Sequence, residues 1–257
     1  MDTDHHAPTI ATVPHSPLTK YYAGADEKDT FVREMFNSTA SDYDRVEAIL
    51  ALGTGRWYRG QALKRAGLAP GMRTLDVGVG TGLVARAAAE IVGNASLVTG
   101  IDPCLGMMKE ARVPNGVNLA LGRAEEIPFA DDSFDFLSMG YALRHISDLS
   151  VAFREFYRVL KPGGRICLLE ISAPKSPWGR FCLRGYMKLL VPTIAAVVGR
   201  QKNTKRLWRY YWDTIEACVP PGHVAGTLQS VGFSEVRVYS DLKVMEFFSE
   251  YQGIKPT

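Results

Sequence analysis

Cysteine is scarce in this chain and nowhere clustered. Cys104, Cys167, Cys182 and Cys218 stand singly among 257 residues. They offer neither a disulfide framework nor metal-ligand spacing, so no metal site is expected and a reducing, cytoplasmic compartment fits. His5 and His6 read as part of a solvated tail rather than as ligands. Net charge is small too: 30 basic against 27 acidic residues leave +3. That balance gives no chain-wide electrostatic grip on nucleic acid, and none is expected as a partner. Long hydrophobic runs are missing. No apolar stretch approaches the ~20 residues needed to span a bilayer, and the N-terminus lacks the basic-then-apolar pattern of a secretory signal. There is no internal repeat. What is left fits a mobile tail over residues 1–20 and one domain with a large core over 21–257.

What is present centres on Arg73-Thr-Leu-Asp-Val-Gly-Val-Gly-Thr-Gly-Leu-Val-Ala-Arg86. Thr74 to Val77 reads as a short buried strand, and a helix is expected from near Leu83. Between them Gly78, Gly80 and Gly82 let the backbone approach a ligand closely, just where a helix N-terminus offers free N–H groups. The glycine spacing differs from the dinucleotide fingerprint, and the Gly-Lys-Ser/Thr of a P-loop is absent. Alone, such a turn is as consistent with plain strand–helix packing as with a ligand. The next strand, Leu97-Val-Thr-Gly-Ile-Asp102, ends in an acid about 20 residues past the glycines, which suits a ribose diol at the carboxyl edge of a parallel sheet. NAD and S-adenosylmethionine both carry such a ribose.

Further motifs follow in fixed order: Asp102-Pro103, Ala124-Glu-Glu-Ile-Pro-Phe129, Phe134-Asp135 and Arg158-Val-Leu-Lys-Pro-Gly-Gly164. With the glycine loop they resemble a class I S-adenosylmethionine-dependent methyltransferase. Glu27-Lys28, Val32, Phe36, Ala40, Tyr43-Asp44 and Leu52-Gly53-Thr-Gly55-Arg56-Trp57-Tyr58-Arg59 narrow the likeness, as do Leu143-Arg144-His145-Ile146-Ser147-Asp148 and Leu168-Leu-Glu170-Ile-Ser-Ala-Pro174. These are similar to the ubiquinone/menaquinone biosynthesis C-methyltransferase family. The resemblance covers roughly residues 20 to 255. It implies an α/β, Rossmann-like, doubly wound sheet of seven mostly parallel strands with an antiparallel last strand. A helical cap is expected over 27–67 and a helical lid over 172–212. It also implies S-adenosyl-L-methionine as cofactor and a hydrophobic small-molecule acceptor, a prenylated quinol ring carbon above all.

The resemblance carries cofactor-binding roles onto Tyr43, Asp76, Gly78, Gly80, Thr81, Asp102, Pro103, Arg123, Ala124, Glu125 and Gly140. Tyr43 would lie over the methionine end, where an aromatic face suits a sulfonium. Thr81 would donate its hydroxyl to the cofactor. Arg56 and Arg59 could meet the cofactor carboxylate or simply be solvated. Arg123 departs from the family, where Asp or Asn is usual: arginine accepts no hydrogen bond, so the adenine is left with the Ala124 N–H and Glu125, or a stack on the guanidinium. For methylation of a phenolic ring the neighbouring hydroxyl must lose its proton. Arg144 is the candidate electrostatic stabiliser, with an i,i+4 salt bridge to Asp148 as the plainer reading. His145 is the candidate base, with a packing histidine as the alternative, and Tyr141 would orient the ring.

Residues 172–212 hold nine basic residues and no Asp or Glu, with several aromatics. Arg180, Arg184 and Lys188 share one helical face. The segment fits a lid over a hydrophobic substrate, a peripheral contact with an anionic membrane, or a solvated basic face over ordinary core. A homodimer is compatible with all three. The final strands are expected at Ser234 to Leu242 and Val244 to Tyr251, with Glu246, Phe247 and Phe248 altering the acceptor end. Rival functions are methylation of a phospholipid amine or secondary metabolite at O or N, a non-catalytic cofactor-binding subunit of a membrane-associated complex, and RNA binding by the basic segment.

Overall fold

A computed structural model of the chain describes residues 12–50, 54–174, 176–198, 203–241 and 247–257. The centre of the sheet is β1 (Thr74–Val77), whose four residues are all buried, as expected for a parallel strand covered on both faces. It pairs with β2 (Val98–Asp102) on one side and β4 (Phe134–Gly140) on the other, both parallel. Beyond β2 lies β3 (Asn118–Leu121). Beyond β4 lie β5 (Leu160–Ile171), β7 (Phe248–Ile254) and β6 (Ser234–Asp241), giving the order β3-β2-β1-β4-β5-β7-β6. β7 runs antiparallel to both its neighbours, so the seven-stranded sheet with an antiparallel last strand is as expected. The chain reverses its direction of travel across the sheet between β1 and β4, where ligands of open α/β sheets bind.

The first helices are α1 (Ala25–Leu50), α2 (Gly55–Arg65), α3 (Leu83–Val92) and α4 (Leu105–Lys109). Next come α5 (Leu149–Val159), α6 (Pro177–Gly185), α7 (Val191–Val198), α8 (Thr204–Ala217) and α9 (Pro221–Val231), with a π-helical turn at Tyr186–Leu190 joining α6 to α7. One face of the sheet packs Leu149, Phe153 and Phe156 of α5 with Leu228 of α9. The other packs Leu63 of α2 with the alanines Ala85 and Ala88 of α3, small enough to let that helix sit close to the strands. A third core joins Met35, Phe36 and Val46 of α1 to Leu183, Met187, Val191, Trp208 and Trp212 of α6, the π turn, α7 and α8. α1 and the helices of the 172–212 segment thus share one apolar interior.

Three boundaries differ from the sequence reading. β5 begins at Leu160 rather than Arg165, because Lys161-Pro-Gly-Gly164 forms a bulge in the strand: Phe134 pairs with Leu160 and Phe136 with Arg165. β7 starts at Phe248, and the hairpin turn with Glu246 and the expected strand end at Leu242 lie outside the described residues. His5, His6 and residues to 11 also lie outside them. Residues 12–20, read from the sequence as part of a mobile tail, carry defined contacts. From Thr12 the chain is held: Leu149 N–H donates to the Thr12 carbonyl and Val219 N–H to the Pro14 carbonyl, both at 2.8 Å. His15 bridges Cys218, and the Tyr21 hydroxyl donates to Asp213 of α8 at 2.5 Å.

Candidate active site

A cavity of about 1180 Å³, open solvent at its mouth included, lies at the carboxyl ends of β1, β2 and β4 beneath α1 and α8. Gly78, Gly80, Thr81, Asp102, Pro103, Arg123, Ala124, Glu125, Gly140, Tyr141, His145 and Tyr43 all line it. Gly78 takes a positive φ of 70°, and a Cβ there would lie 2.8 Å from the Ala142 Cβ. The glycine loop therefore abuts the loop after β4, and only glycine fits the contact. At Gly140 a Cβ would lie 2.5 Å from Val84 Cγ2, so the start of α3 closes on the end of β4.

Asp102 is buried at the end of β2. One carboxylate oxygen accepts the Gly80 N–H at 2.8 Å and the other the Cys104 N–H at 2.7 Å. Burial raises its pKa, and these two N–H donors hold the rise in check. The Cys104 thiol also bonds this carboxylate, and since each ionised oxygen has two lone pairs, acceptor capacity remains at the cavity wall.

Asp76 is placed elsewhere than expected. It is buried beneath the glycine loop and does not line the cavity. One oxygen accepts the Ser138 hydroxyl at 2.8 Å and the other has no partner among the described residues. Burial pushes its pKa up to about 7. Its contacts tie β1 to β4 beneath the loop. Thr81 also differs: its hydroxyl is spent on Asp44 of α1 at 2.5 Å.

Thr81 is one of several points where α1 fastens to the loops at the sheet's carboxyl edge. Asn37 Oδ1 accepts the Gly106 N–H after β2 at 2.7 Å. Asp29 pairs with Arg123 after β3 at 2.6 Å and accepts the Ser147 hydroxyl after β4 at 2.6 Å. Buried Lys28, its pKa lowered by burial to about 8, donates to the Ile146 carbonyl at 2.8 Å. Arg123 is thus turned toward α1 and Glu125, and Glu125 accepts the Ser147 N–H at 2.6 Å. Asp29, Asn37 and Asp44 went unread in the sequence because their partners are 37 to 118 residues away.

Tyr43 stacks on Trp208 with centroids 6.0 Å apart and shares a hydrogen bond of 3.2 Å with the Tyr211 hydroxyl. Arg59 is buried, paired with Glu47 at 2.5 Å, and lies 5.5 Å from the Tyr141 ring. Arg56 is exposed and paired with Glu90. Of the two arginines, only Arg59 reaches the cavity. Tyr141 holds a positive φ of 61°, an uncommon conformation for a bulky residue. It turns the chain out of β4 while the Tyr141 N–H donates to the Leu169 carbonyl at 2.8 Å.

His145 and Arg144 part company. His145 lines the cavity, edge-on to Phe36 at 5.1 Å and stacked on Tyr210 at 5.7 Å. Its Nδ1 is 3.5 Å from the Tyr210 hydroxyl, and its Nε2 has no hydrogen-bond partner among the described residues. Burial, then the charges of Arg144, Lys28 and His15, hold its pKa well below the usual histidine range. The imidazole is neutral, with accepting capacity.

Arg144 does not line the cavity. It is fully buried behind His145, ion-paired with Glu170, with its Nε 3.2 Å from the Thr214 hydroxyl and its guanidinium 4.6 Å from the centre of the Tyr211 ring. The i,i+4 alternative fails as well, since Asp148 accepts the Ser150 and Val151 N–H groups and caps α5. The electrostatic stabiliser expected at Arg144 is thus a buried tie between the β4 loop, β5 and α8. Arg144→Met should lower stability by about 3–5 kcal/mol, because it strands the Glu170 charge. Arg144→Met combined with Glu170→Met should recover most of that loss in urea denaturation.

A family model described as the ubiE/COQ5 methyltransferase family matches residues 24–245. A demethylmenaquinone methyltransferase of Staphylococcus aureus is 36% identical over 216 residues, covering 81% of this chain and 87% of that one. The ubiquinone/menaquinone biosynthesis C-methyltransferase UbiE of Geotalea daltonii is 33% identical over 218 residues, covering 82% and 91%. Among solved structures, an S-adenosylmethionine-dependent methyltransferase of Thermotoga maritima, a possible histamine N-methyltransferase, superposes with a TM-score of 0.58 at 22% identity, covering 86% and 98%. That likeness speaks for the fold alone. The activity is S-adenosyl-L-methionine-dependent methyl transfer, and the non-catalytic alternative finds no support in these relatives. With most of its length matched by one family model and by relatives over most of theirs, the chain belongs to the ubiE/COQ5 methyltransferase family.

Proposed function

We propose that the protein methylates a ring carbon of a prenylated quinol. The observation that carries this reading is His145, whose buried Nε2 has no hydrogen-bond partner among the described residues, on a stretch of cavity wall it shares with Phe36, Tyr43, Tyr141, Ala142, Ile146 and Tyr211. The names of its relatives, which include demethylmenaquinone methyltransferases, support the same acceptor class. The donor set fits S-adenosylmethionine: an acceptor carboxylate in the glycine loop, a cradle with no room for a Cβ at Gly78, and aromatic faces beyond it. Asp102 would hold the ribose diol, Tyr43 would face the sulfonium, and Arg59 would balance the cofactor carboxylate. Pro103, Ala124, Glu125 and Gly140 would frame the nucleoside. Bound there, the cofactor supplies an electrophilic methyl group.

The chain's own part is alignment and proton transfer. His145 takes the proton of a quinol hydroxyl, and the adjacent ring carbon becomes nucleophilic. That carbon accepts the methyl group and then loses its own proton as the ring regains aromaticity. Tyr141 orients the ring, and the aromatic walls keep water out. The test is incubation with methyl-labelled S-adenosylmethionine and a short-chain demethylmenaquinol, with the product read by NMR. A new ring C-methyl is expected. An O-methyl ether, or turnover only with a phospholipid amine, would replace this reading with one of its rivals.

A further inference from the structure

The outer face of the helical segment 177–198 is the least explained surface of the molecule. Leu183, Met187 and Val191 point inward to the core shared with α1 and α8. The other side carries Trp178, Phe181, Leu189, Leu190 and Val197, between 49% and 81% exposed. These fall at helical intervals along α6, the π turn and α7, so they form one stripe rather than scattered singles. Trp178 and Phe181 stack on each other at 5.8 Å. An exposed aromatic pair continued by leucines marks a surface built to be covered. Beside it run Arg180, Arg184 and Lys188, all exposed. From 172 to 212 the sequence has no acidic residue to offset them.

We propose that this face lies on an anionic phospholipid leaflet, with the stripe inserted among the acyl chains and the basic row against the headgroups. The charge pattern selects this occupant. A flat apolar stripe bordered by one sign of charge suits an interfacial helix, and each Lys or Arg near an anionic surface adds roughly 1 kcal/mol of attraction. A second copy of the chain would bring one uncompensated basic row against another. No helix among the described residues is long and apolar enough to cross a membrane, so the contact is lateral. It deepens and rests on the proposed prenylated acceptor. The stripe's inner face belongs to the core against which Tyr43 packs, so docking there sets the cavity one helix layer from the bilayer that holds such a tail.

The experiment is cosedimentation of the full chain with vesicles of phosphatidylcholine alone and of phosphatidylcholine mixed with phosphatidylglycerol, at low and high salt. Binding is expected to the mixed vesicles, roughly tenfold or more tighter than to the neutral ones and weakened by salt. Trp178→Ser with Phe181→Ser should reduce binding at least tenfold. Arg180→Glu with Arg184→Glu should erase the preference for anionic lipid. Both should keep the wild-type melting temperature and calorimetric binding of S-adenosylmethionine. Should the serine pair fail to fold, the charge-reversed pair carries the test alone. Absence of vesicle binding by wild type, or binding unchanged in the folded variants, overturns the proposal. So does light scattering that shows a dimer broken by the serine pair. Methylation of a water-soluble short-chain quinol is read separately, so the loss of this surface and the loss of the acceptor assignment are distinguishable.

Discussion

Asp102→Ala should weaken S-adenosylmethionine binding roughly a hundredfold or more in titration calorimetry, since hydrogen bonds to charged groups contribute about 1.5–3 kcal/mol each and two ribose hydroxyls are at stake. The substitution also removes the acceptor of the Gly80 and Cys104 N–H groups. Part of the loss would therefore come from a loosened glycine loop. A ligand change separates the two contributions. Wild type should bind a cofactor analogue lacking one ribose hydroxyl at least tenfold more weakly than the intact cofactor, while the alanine variant should hardly distinguish them. Such non-additivity is the signature of a direct contact. Equal discrimination by both proteins would move the ribose away from Asp102 and reduce this carboxylate to a loop brace.

His145→Phe should lower kcat by about a hundredfold or more, within the 10²–10⁴ range of general base catalysis, and leave cofactor affinity within about threefold. Phenylalanine keeps the contacts with Phe36 and Tyr210, so packing alone would not account for such a loss. The pH profile adds a second readout. His145 has a folded pKa well below its ordinary 6.5, mainly through burial. The base therefore stays neutral as pH falls through 6.5, and kcat should remain flat there instead of dropping as it would for an exposed histidine. The stability effect has the opposite sense. The unfolded chain gains a proton at His145 as pH falls below 6.5 while the folded chain resists it, so wild type loses stability there. His145→Phe should lose less over the same interval.

The sheet was legible because its signals are local. A buried run ending in glycines, an acid closing the next strand, and Gly232 ending α9 with a φ of 117° each declare themselves within a few residues. Most cavity residues were legible for the same reason, since strand ends and the loops after them converge by topology. What stayed hidden was the partner of each polar side chain. Arg144 sits one residue from a cavity residue, yet the strand-to-loop turn at Tyr141 sends it inward to Glu170. Their separation of 26 residues spans α5 and most of β5. Thr81 has the hydroxyl a cofactor could use, but Asp44 of α1 reaches it first. Asp76 looks like a ligand in the motif, yet it is buried in β1 with its carboxylate on the Ser138 hydroxyl of β4. The bulge at Lys161-Pro-Gly-Gly164 was missed because Pro and Gly most often stop pairing, and here β5 carries on past them.

The attachment of α1 to the loops after β1, β2, β3 and β4 has a consequence in time rather than in space. Asp44–Thr81, Asn37–Gly106 and Asp29–Arg123 lie along one helix, so widening this side of the cavity breaks them together. Each is modest, and the half-exposed Asp29–Arg123 pair is worth at most about 1 kcal/mol. As a set they make departure a cooperative event. If α1 must lift for spent cofactor to leave, release would follow the opening frequency of α1 rather than the cofactor's own escape rate. Where proton transfer and alignment are fast, turnover would be set by the movement of this helix, which carries Phe36 and Tyr43 into the cavity wall.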